Sequence, residues 1–240
     1  MASKLSPGAV AAFEGLLHDS LTIAVGGFGL SGVPVDLIDV VADSGVRDLI
    51  IVSNNMGIDG VGLGKLLDNG QVSKVVCSYA GENATLARQF LDGSLEIEFV
   101  PQGTLAERMR AGGSGISAFF TPTGVGTSIA EGKQHQDFNG VTNMLECGIV
   151  ADLGLVRAHI ADQEGNLIYR HTARNFNPVV AMSGRMTIAE VEEIVPIGDI
   201  DPNIVITPGI FVQKIVKSMG QEKLIEKLTV RPREVSREVR

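Results

Sequence analysis

The sequence has little from which to build a metal site or a disulfide scaffold. Its two cysteines, Cys77 and Cys147, form no Cys-x-x-Cys pair, so neither a zinc ribbon nor a disulfide framework is encoded and a reducing compartment is expected. The four histidines, His18, His135, His159 and His171, are scattered without His-x-x-x-His or carboxylate spacing, which predicts no metal and assigns them to the surface or to structural hydrogen bonds. Basic charge is also short. Twenty Lys and Arg stand against 28 Asp and Glu, a net charge of -8, and that balance argues against a sequence-independent nucleic-acid binder, which needs surplus cations to displace counterions. No apolar run reaches the roughly 18 residues of a membrane span, and the N-terminal stretch lacks the apolar core and cleavage pattern of a secretory signal. The expectation is a soluble, cytoplasmic protein with no nucleic-acid or membrane partner.

What the chain does have is apolar residues, 44% of its 240 positions against 20% charged, enough for a buried core. They fall into a repeating order: a short apolar run, a polar or glycine-rich turn, then an amphipathic stretch. That alternation predicts an α/β fold with an open, mostly parallel sheet and helices on both faces. The runs are LTIAV from Leu21, DLIIV from Asp48, KVVCS from Lys74 and LEIEFV from Leu95, ending in the turns GGFG, SNN, GEN and PQG. Pro34 opens the first helix and Gly45 closes it, while ATLARQFLDG and LAERMRAGG supply two more. Cys77, inside an apolar run, reads as a small core residue. The second half is β-rich: LGLVRAHIADQEGNLIYR reads as two strands about a turn at Glu164, Gly165 and Asn166, and TIAEVEEIV and IVITPGIFVQKIV read as further strands with a turn at ITPG. One domain is expected over 1–220, followed by a charged tail over 221–240 that serves as a mobile or partner-docking arm.

In a parallel sheet, ligands bind beyond the carboxyl ends of the strands, so the four turns are expected to face one crevice. Gly27, Gly29 and Gly32 in VGGFGLSGVP have the spacing of a dinucleotide turn. The rest of that signature is missing: the second strand ends in Val52, Ser53 and Asn54 with no carboxylate to bind a ribose, and Pro34 delays the helix. The glycines read instead as devices for a sharp turn or a close approach of backbone.

DSLTIAVGGFGLSGVP resembles the glycine-Phe signature of the class I coenzyme A-transferases in their α-subunit form. SNNMGIDGVGLG, SYAGENATLARQFLDG, PQGTLAERMRAGGSGI, FFTPTGVGT and YRHTARNFNP are similar, in the same order, to segments of the succinyl-CoA:3-oxoacid type, and together they cover about Leu21 to Val216. The resemblance implies a ping-pong transfer of coenzyme A from succinyl-CoA to a 3-oxoacid, acetoacetate being favoured over 3-oxoadipate. It implies a coenzyme A thioester as substrate with no tightly bound cofactor. It also implies a β-subunit partner, in an αβ or α2β2 assembly, that carries the nucleophilic glutamate in a Ser-Glu-Asn-Gly motif absent from this chain. A thioester hydrolase on the same fold and a non-catalytic ligand-binding domain are the other readings.

The resemblance makes Gln102 the side-chain oxyanion donor, the alternative being a turn residue that caps its own helix. Asn54 and Asn55 are candidates to orient the acid's carboxylate or hold the nucleophile, against ordinary asparagine turn chemistry. Glu82 is a candidate to position the partner's loop or the acid, against a helix N-terminal acid favoured by the dipole. Gly27 and Gly29, with Gly26 and Gly32, let backbone approach substrate or partner, and Phe28 walls off water. Arg170, Arg174 and Asn175 are assigned to intersubunit or fold-supporting pairing.

Overall fold

The computed structural model describes residues 3–220, so the expected charged tail over 221–240 lies outside the described residues. The first half alternates as its sequence pattern predicts. A short α1 (Ala9–Ala12) precedes β1 (Thr22–Val25), α2 (Val35–Ser44), β2 (Leu49–Val52), α3 (Gly64–Asp68), β3 (Val72–Cys77), α4 (Ala84–Leu91), β4 (Glu96–Phe99) and α5 (Gln102–Gly113). Then come β5 (Ala118–Thr121), β6 (His135–Phe138), β7 (Val141–Cys147), β8 (Ala151–Asp162), β9 (Leu167–Ile168), α6 (Asn177–Ser183), β10 (Gly184–Val195) and β11 (Lys214–Lys217).

The main sheet runs β11-β10-β8-β1-β2-β3-β4, parallel throughout, with β9 added antiparallel to β8. Both faces are covered, which is why its strands read as unbroken apolar runs. Along β1, Ile23 and Val25 enter a cluster with Leu37, Ile38 and Leu66 of α2 and α3. Ala24 between them points the other way, into a cluster with Leu105, Met109 and Val180 of α5 and α6. Cys77 is buried in the first cluster, as expected, and burial pushes its thiol up to about 11.

Strand order reverses beside β1: β2, β3 and β4 extend to one side, β8, β10 and β11 to the other. A ligand crevice opens at such a point. Lengths differ across it, four to six residues for β1 to β4 but twelve each for β8 and β10. Val25 ends β1 opposite Leu155, so residues 156–162 and their β10 partners project past the glycine turn as a ribbon.

Two features depart from the sequence reading. The stretch IVITPGIFVQKIV is not two strands: Pro202–Ile204 and Gly209–Phe211 are 3-10 turns, and only Lys214–Lys217 is strand. Pro208 has no N–H to give a ladder, and a Cβ on Gly209 would lie 2.2 Å from the Glu164 carbonyl oxygen. The segment therefore packs as a cap over the β8–β9 turn, held by Leu167 N donating to Thr207 O at 2.9 Å. The second departure is a separate antiparallel sheet, β5-β7-β6, in a region that reads as loop. Strand β6 is exposed at every position, so it carries no alternation to betray it.

Candidate functional site

The turns after β1, β2, β3 and β4 converge on one open cleft of about 1340 Å³. Phe28, Gly29, Asn54, Asn55, Glu82 and Gln102 all line it. Gly27 stands just behind, its Cβ position blocked by Val33.

Asn54 organises the amide wall. It is 1% exposed, and its backbone oxygen accepts from Ser78 N and Tyr79 N, both at 3.1 Å, bridging the ends of β2 and β3. Its side-chain Oδ1 accepts from Ser78 Oγ at 2.7 Å and from Gln102 Nε2 at 2.9 Å. Gln102 makes no side-chain cap to α5; its amide is aimed across the strand ends and held there by Asn54. Asn55 is 6% exposed, and its side chain makes no hydrogen bond among the described residues. No buried side-chain N or O atom among the described residues lacks a partner, so the Asn55 amide opens to the cleft, where a ligand or water can bond it.

Glu82 is exposed and left-handed, with φ 67°. The hydrogen-bonded cap of α4 comes from other residues. Asn83 is the N-cap, accepting from Leu86 N at 2.8 Å. The first-turn N–H groups of Ala84 and Thr85 donate to Asp59 at 3.1 and 2.9 Å, and these bonds hold the Asp59 carboxyl below its ordinary value.

The glycine turn has a structural cause. Asn177, fully buried, accepts from Arg157 N at 2.8 Å and donates from Nδ2 to Gly32 O at 3.0 Å and Ala173 O at 2.9 Å. A Cβ on Gly26 would sit 1.9 Å from Asn177 Oδ1, and one on Gly32 2.5 Å from Ala173 O. The anion hole at the start of α2 is already filled from within: Glu190 Oε2 accepts from Asp36 N at 2.9 Å and Leu37 N at 3.4 Å. A dinucleotide pyrophosphate would have to displace a buried carboxylate, which agrees with the missing ribose acid.

The far wall is the projecting ribbon, and the sequence reading passed over it. Cross-strand pairing sets Arg157 opposite Glu190, with Arg157 Nη1 2.7 Å from Glu190 Oε1 and Nη2 3.4 Å from Glu192 Oε1. His159 Nδ1 lies 3.0 Å from Glu192 Oε2. Arg157, His159 and Glu192 line the cleft, as do Arg170 and His171. His159 is thus hydrogen-bonded as expected, but it and His171 also face the cleft. Burial raises the fully enclosed Glu190 to about 7, with Arg157 opposing and Asp36 reinforcing the rise. The signal available in sequence was polar residues at alternate positions, Arg157 and His159 against Glu190 and Glu192, in runs otherwise apolar.

Of the family-string residues, Asn175 is fold-supporting, its Nδ2 donating to Ser31 O at 2.9 Å. The Arg170 side chain makes no such bond among the described residues and stands in the cleft wall. Among the described residues no group of three His, Cys, Asp or Glu is placed to hold a metal ion, and no helix is long and apolar enough to cross a membrane.

Comparison with known proteins adds to this geometry. A family profile described as coenzyme A transferase matches residues 9–218. The chain is 59% identical over 215 residues to the A-type chain of a probable succinyl-CoA:3-ketoacid coenzyme A transferase of Bacillus subtilis, covering 90% of each chain. It is 54% identical to the A-type chain of the succinyl-CoA:3-ketoacid coenzyme A transferase of Xanthomonas campestris, covering 93% of this chain and 92% of that one. Both relatives are named as one of the subunits of their enzymes. Among solved structures, an acyl-CoA transferase of Escherichia coli O157:H7 in a thioester complex with CoA superposes with a TM-score of 0.82 at 20% identity. It covers 93% of this chain, which spans about half, 51%, of that longer one. Glutaconate coenzyme A-transferase of Acidaminococcus fermentans follows at 0.77 and 19%, over 90% of this chain and 76% of that one. At these identities the structures establish the fold.

Proposed function

The chain belongs to the coenzyme A transferase family, and we propose that it is the α-subunit of a cytoplasmic enzyme that moves coenzyme A from succinyl-CoA to a 3-oxoacid, with acetoacetate as the acid. Residues 1–220 act as one unit and supply half of the site. A β-subunit, in an αβ or α2β2 assembly, supplies the nucleophilic glutamate.

The glutamate carboxylate attacks the thioester carbonyl, the C–S bond breaks and the thiolate leaves, giving an acyl-glutamyl anhydride. The thiolate then attacks the glutamyl carbonyl, succinate departs as a carboxylate, and a glutamyl-CoA thioester remains. The 3-oxoacid carboxylate attacks that thioester, and the same two steps in reverse order deliver the 3-oxoacyl-CoA and free the glutamate. Covalent catalysis divides an exchange between two poor reactants into accessible steps. Each addition places negative charge on a carbonyl oxygen, and a fixed neutral donor there is worth on the order of 3 kcal/mol.

The observation that carries this reading is the Gln102 amide held by Asn54 in the cleft where the strand-end turns meet. Gln102 is the oxyanion donor and Asn54 its positioning residue. Asn55, whose amide opens to the cleft, meets the incoming carboxylate; Glu82 orients the partner's loop. Phe28, 49% exposed beside Gly29 at the cleft, shields the reacting centre from water.

The test is to purify the chain with its partner, add succinyl-CoA, reduce any enzyme thioester with borohydride and map the modified residue by peptide mass. Reduction at a partner glutamate supports the mechanism and the supporting role of this chain. Modification of Glu82 would move the nucleophile here, and no adduct in an intact complex would defeat the transferase reading.

A further inference from the structure

Among the described residues three Lys or Arg side chains line the cleft, and two of them are neutralised inside the protein. Lys65 Nζ lies 2.6 Å from Asp39 Oδ1, and Arg157 is bracketed by Glu190 and Glu192. Arg170 differs: its guanidinium makes no hydrogen bond or ion pair with any described residue.

The segment that presents it is nevertheless built, not loose. Tyr169 before it is buried, with its hydroxyl 2.7 Å from Thr207 Oγ1. After it, Ala173 N donates to Arg170 O at 3.2 Å, Ala173 O accepts from Asn177 Nδ2 at 2.9 Å, and Asn175 is tied to Ser31. His171, next in the chain, is held left-handed with φ 50°, a conformation that non-glycine residues keep only where the surroundings impose it. Strand β9 runs back along β8, Ile168 opposite Ile160, returning the chain from the ribbon's tip toward the level of Arg157.

Strands β2 and β8 flank β1, and at about 4.8 Å per step their ends stand roughly 10 Å apart. A short carbon chain with a polar contact at each end spans that gap. The lining between includes Val33 and Val61, which suits methylenes.

We infer that Arg170 binds the second, non-reacting carboxylate of a dicarboxylic acyl group while its thioester carbonyl lies at the amide wall, and so selects a succinyl group over a short monocarboxylic one. The inference rests on the transferase reading. A carboxylate carried into the cleft loses water and needs a cation in return, and a guanidinium meets it with two parallel N–H donors. Acetoacetate has its one carboxylate at the reacting end and makes no such demand. Arg170 is therefore a specificity residue for one half of the exchange.

The experiment uses the complex with its partner and the variant R170Q. Its KM for succinyl-CoA, and for succinate in reverse, rises on the order of tenfold, while KM for acetoacetate and acetoacetyl-CoA stays within about twofold. R170K, a point charge without the fork, recovers part of the loss. An equal rise for both CoA esters would overturn the inference by assigning Arg170 to the shared coenzyme portion, and so would no change at all. Should wild type show neither a trapped thioester nor exchange, the transferase reading itself fails. Arg170 is then tested by calorimetric titration of succinate and of butyrate: succinate binding that R170Q loses supports the site, and indifference to the variant overturns it.

Discussion

Asn177 joins three parts of the chain that are far apart in sequence: the middle of β8, the turn after β1 and the loop before α6. The glycines around it follow from that position. Gly26→Ala would place a methyl group 1.9 Å from Asn177 Oδ1, and displacing a buried, fully bonded amide costs about 2–3 kcal/mol, to be read as a lower urea midpoint. Gly45→Ala meets no atom within 4 Å but sits at φ 74°, so it costs only about 1 kcal/mol for the backbone. In the amide wall, the proposed oxyanion role of Gln102 predicts that Gln102→Ala lowers kcat about 100-fold with KM little changed. Asn54→Ala releases Gln102 and Ser78 together and produces a similar kcat loss. If the double variant is no worse than either single one, the two act as a unit.

At the scale of elements, two ion-pair systems hold the architecture. On the β8–β10 ribbon, Glu190 is raised from its ordinary 4.5 to about 7, mainly by burial. The native state thus binds a proton more tightly than the unfolded chain between those values. This group's stabilisation is complete below pH 4.5 and is lost as pH rises to 7. Glu190→Gln is neutral throughout, so its unfolding free energy should show a flatter pH dependence across that window; an unchanged slope would rule out Glu190 as the source. At the other edge, Arg108 Nη1 lies 2.6 Å from Glu98 Oε1 of β4, and Arg108 Nε donates to Cys147 O of β7 at 2.9 Å. Burial raises Glu98, but Arg108 and then Lys74 outweigh it and hold that carboxyl below its ordinary value. Arg108→Met therefore removes the side-chain tie between α5 and the small antiparallel sheet and, because Arg108 Nε lies 3.7 Å from Glu146 Oε2, leaves Glu146, 2% exposed, with only Lys133 as ion-pair partner among the described residues. A loss of about 2–3 kcal/mol is expected, with hydrogen exchange quickening first in β5 to β7.

For the whole molecule, the decisive feature is a cleft with the amides of Asn54, Asn55 and Gln102 on one wall and Arg157, Arg170 and Glu192 on the other, and the proposed function puts its nucleophile on a second chain. The isolated chain should bind neither substrate productively nor turn over, and activity should appear on titrating in the partner, saturating at a fixed ratio of the two. Turnover by the chain alone would show that Glu82 or another of its own carboxylates suffices. The exposed aromatic pair Phe90 and Phe99, edge to face at 6.4 Å on the β4 side, gives a place to watch protection from labelling as the complex forms.

The parallel strands, the helices over both faces and the four turns that meet in the cleft are all legible in the linear chain. Those features are local: apolar runs of strand length, a proline at a helix start and a glycine at a helix end all act on neighbours within a turn or two. The dinucleotide reading also falls at that level, because a missing ribose carboxylate is visible in the letters. Other features arise only once distant segments meet. The length by which β8 and β10 outrun β1 depends on register between strands far apart in the chain, and so does the pairing of Arg157 with Glu190 across 33 positions. The 3-10 cap over 202–211 exists because Gly209 meets a carbonyl from another segment, and exposed β6 is strand only because β7 lies beside it. Most of all, whether an arginine serves the fold or is left for a ligand is a question of which carboxylates reach it, and that is settled only when the chain has closed around Arg157 and left Arg170 in the wall.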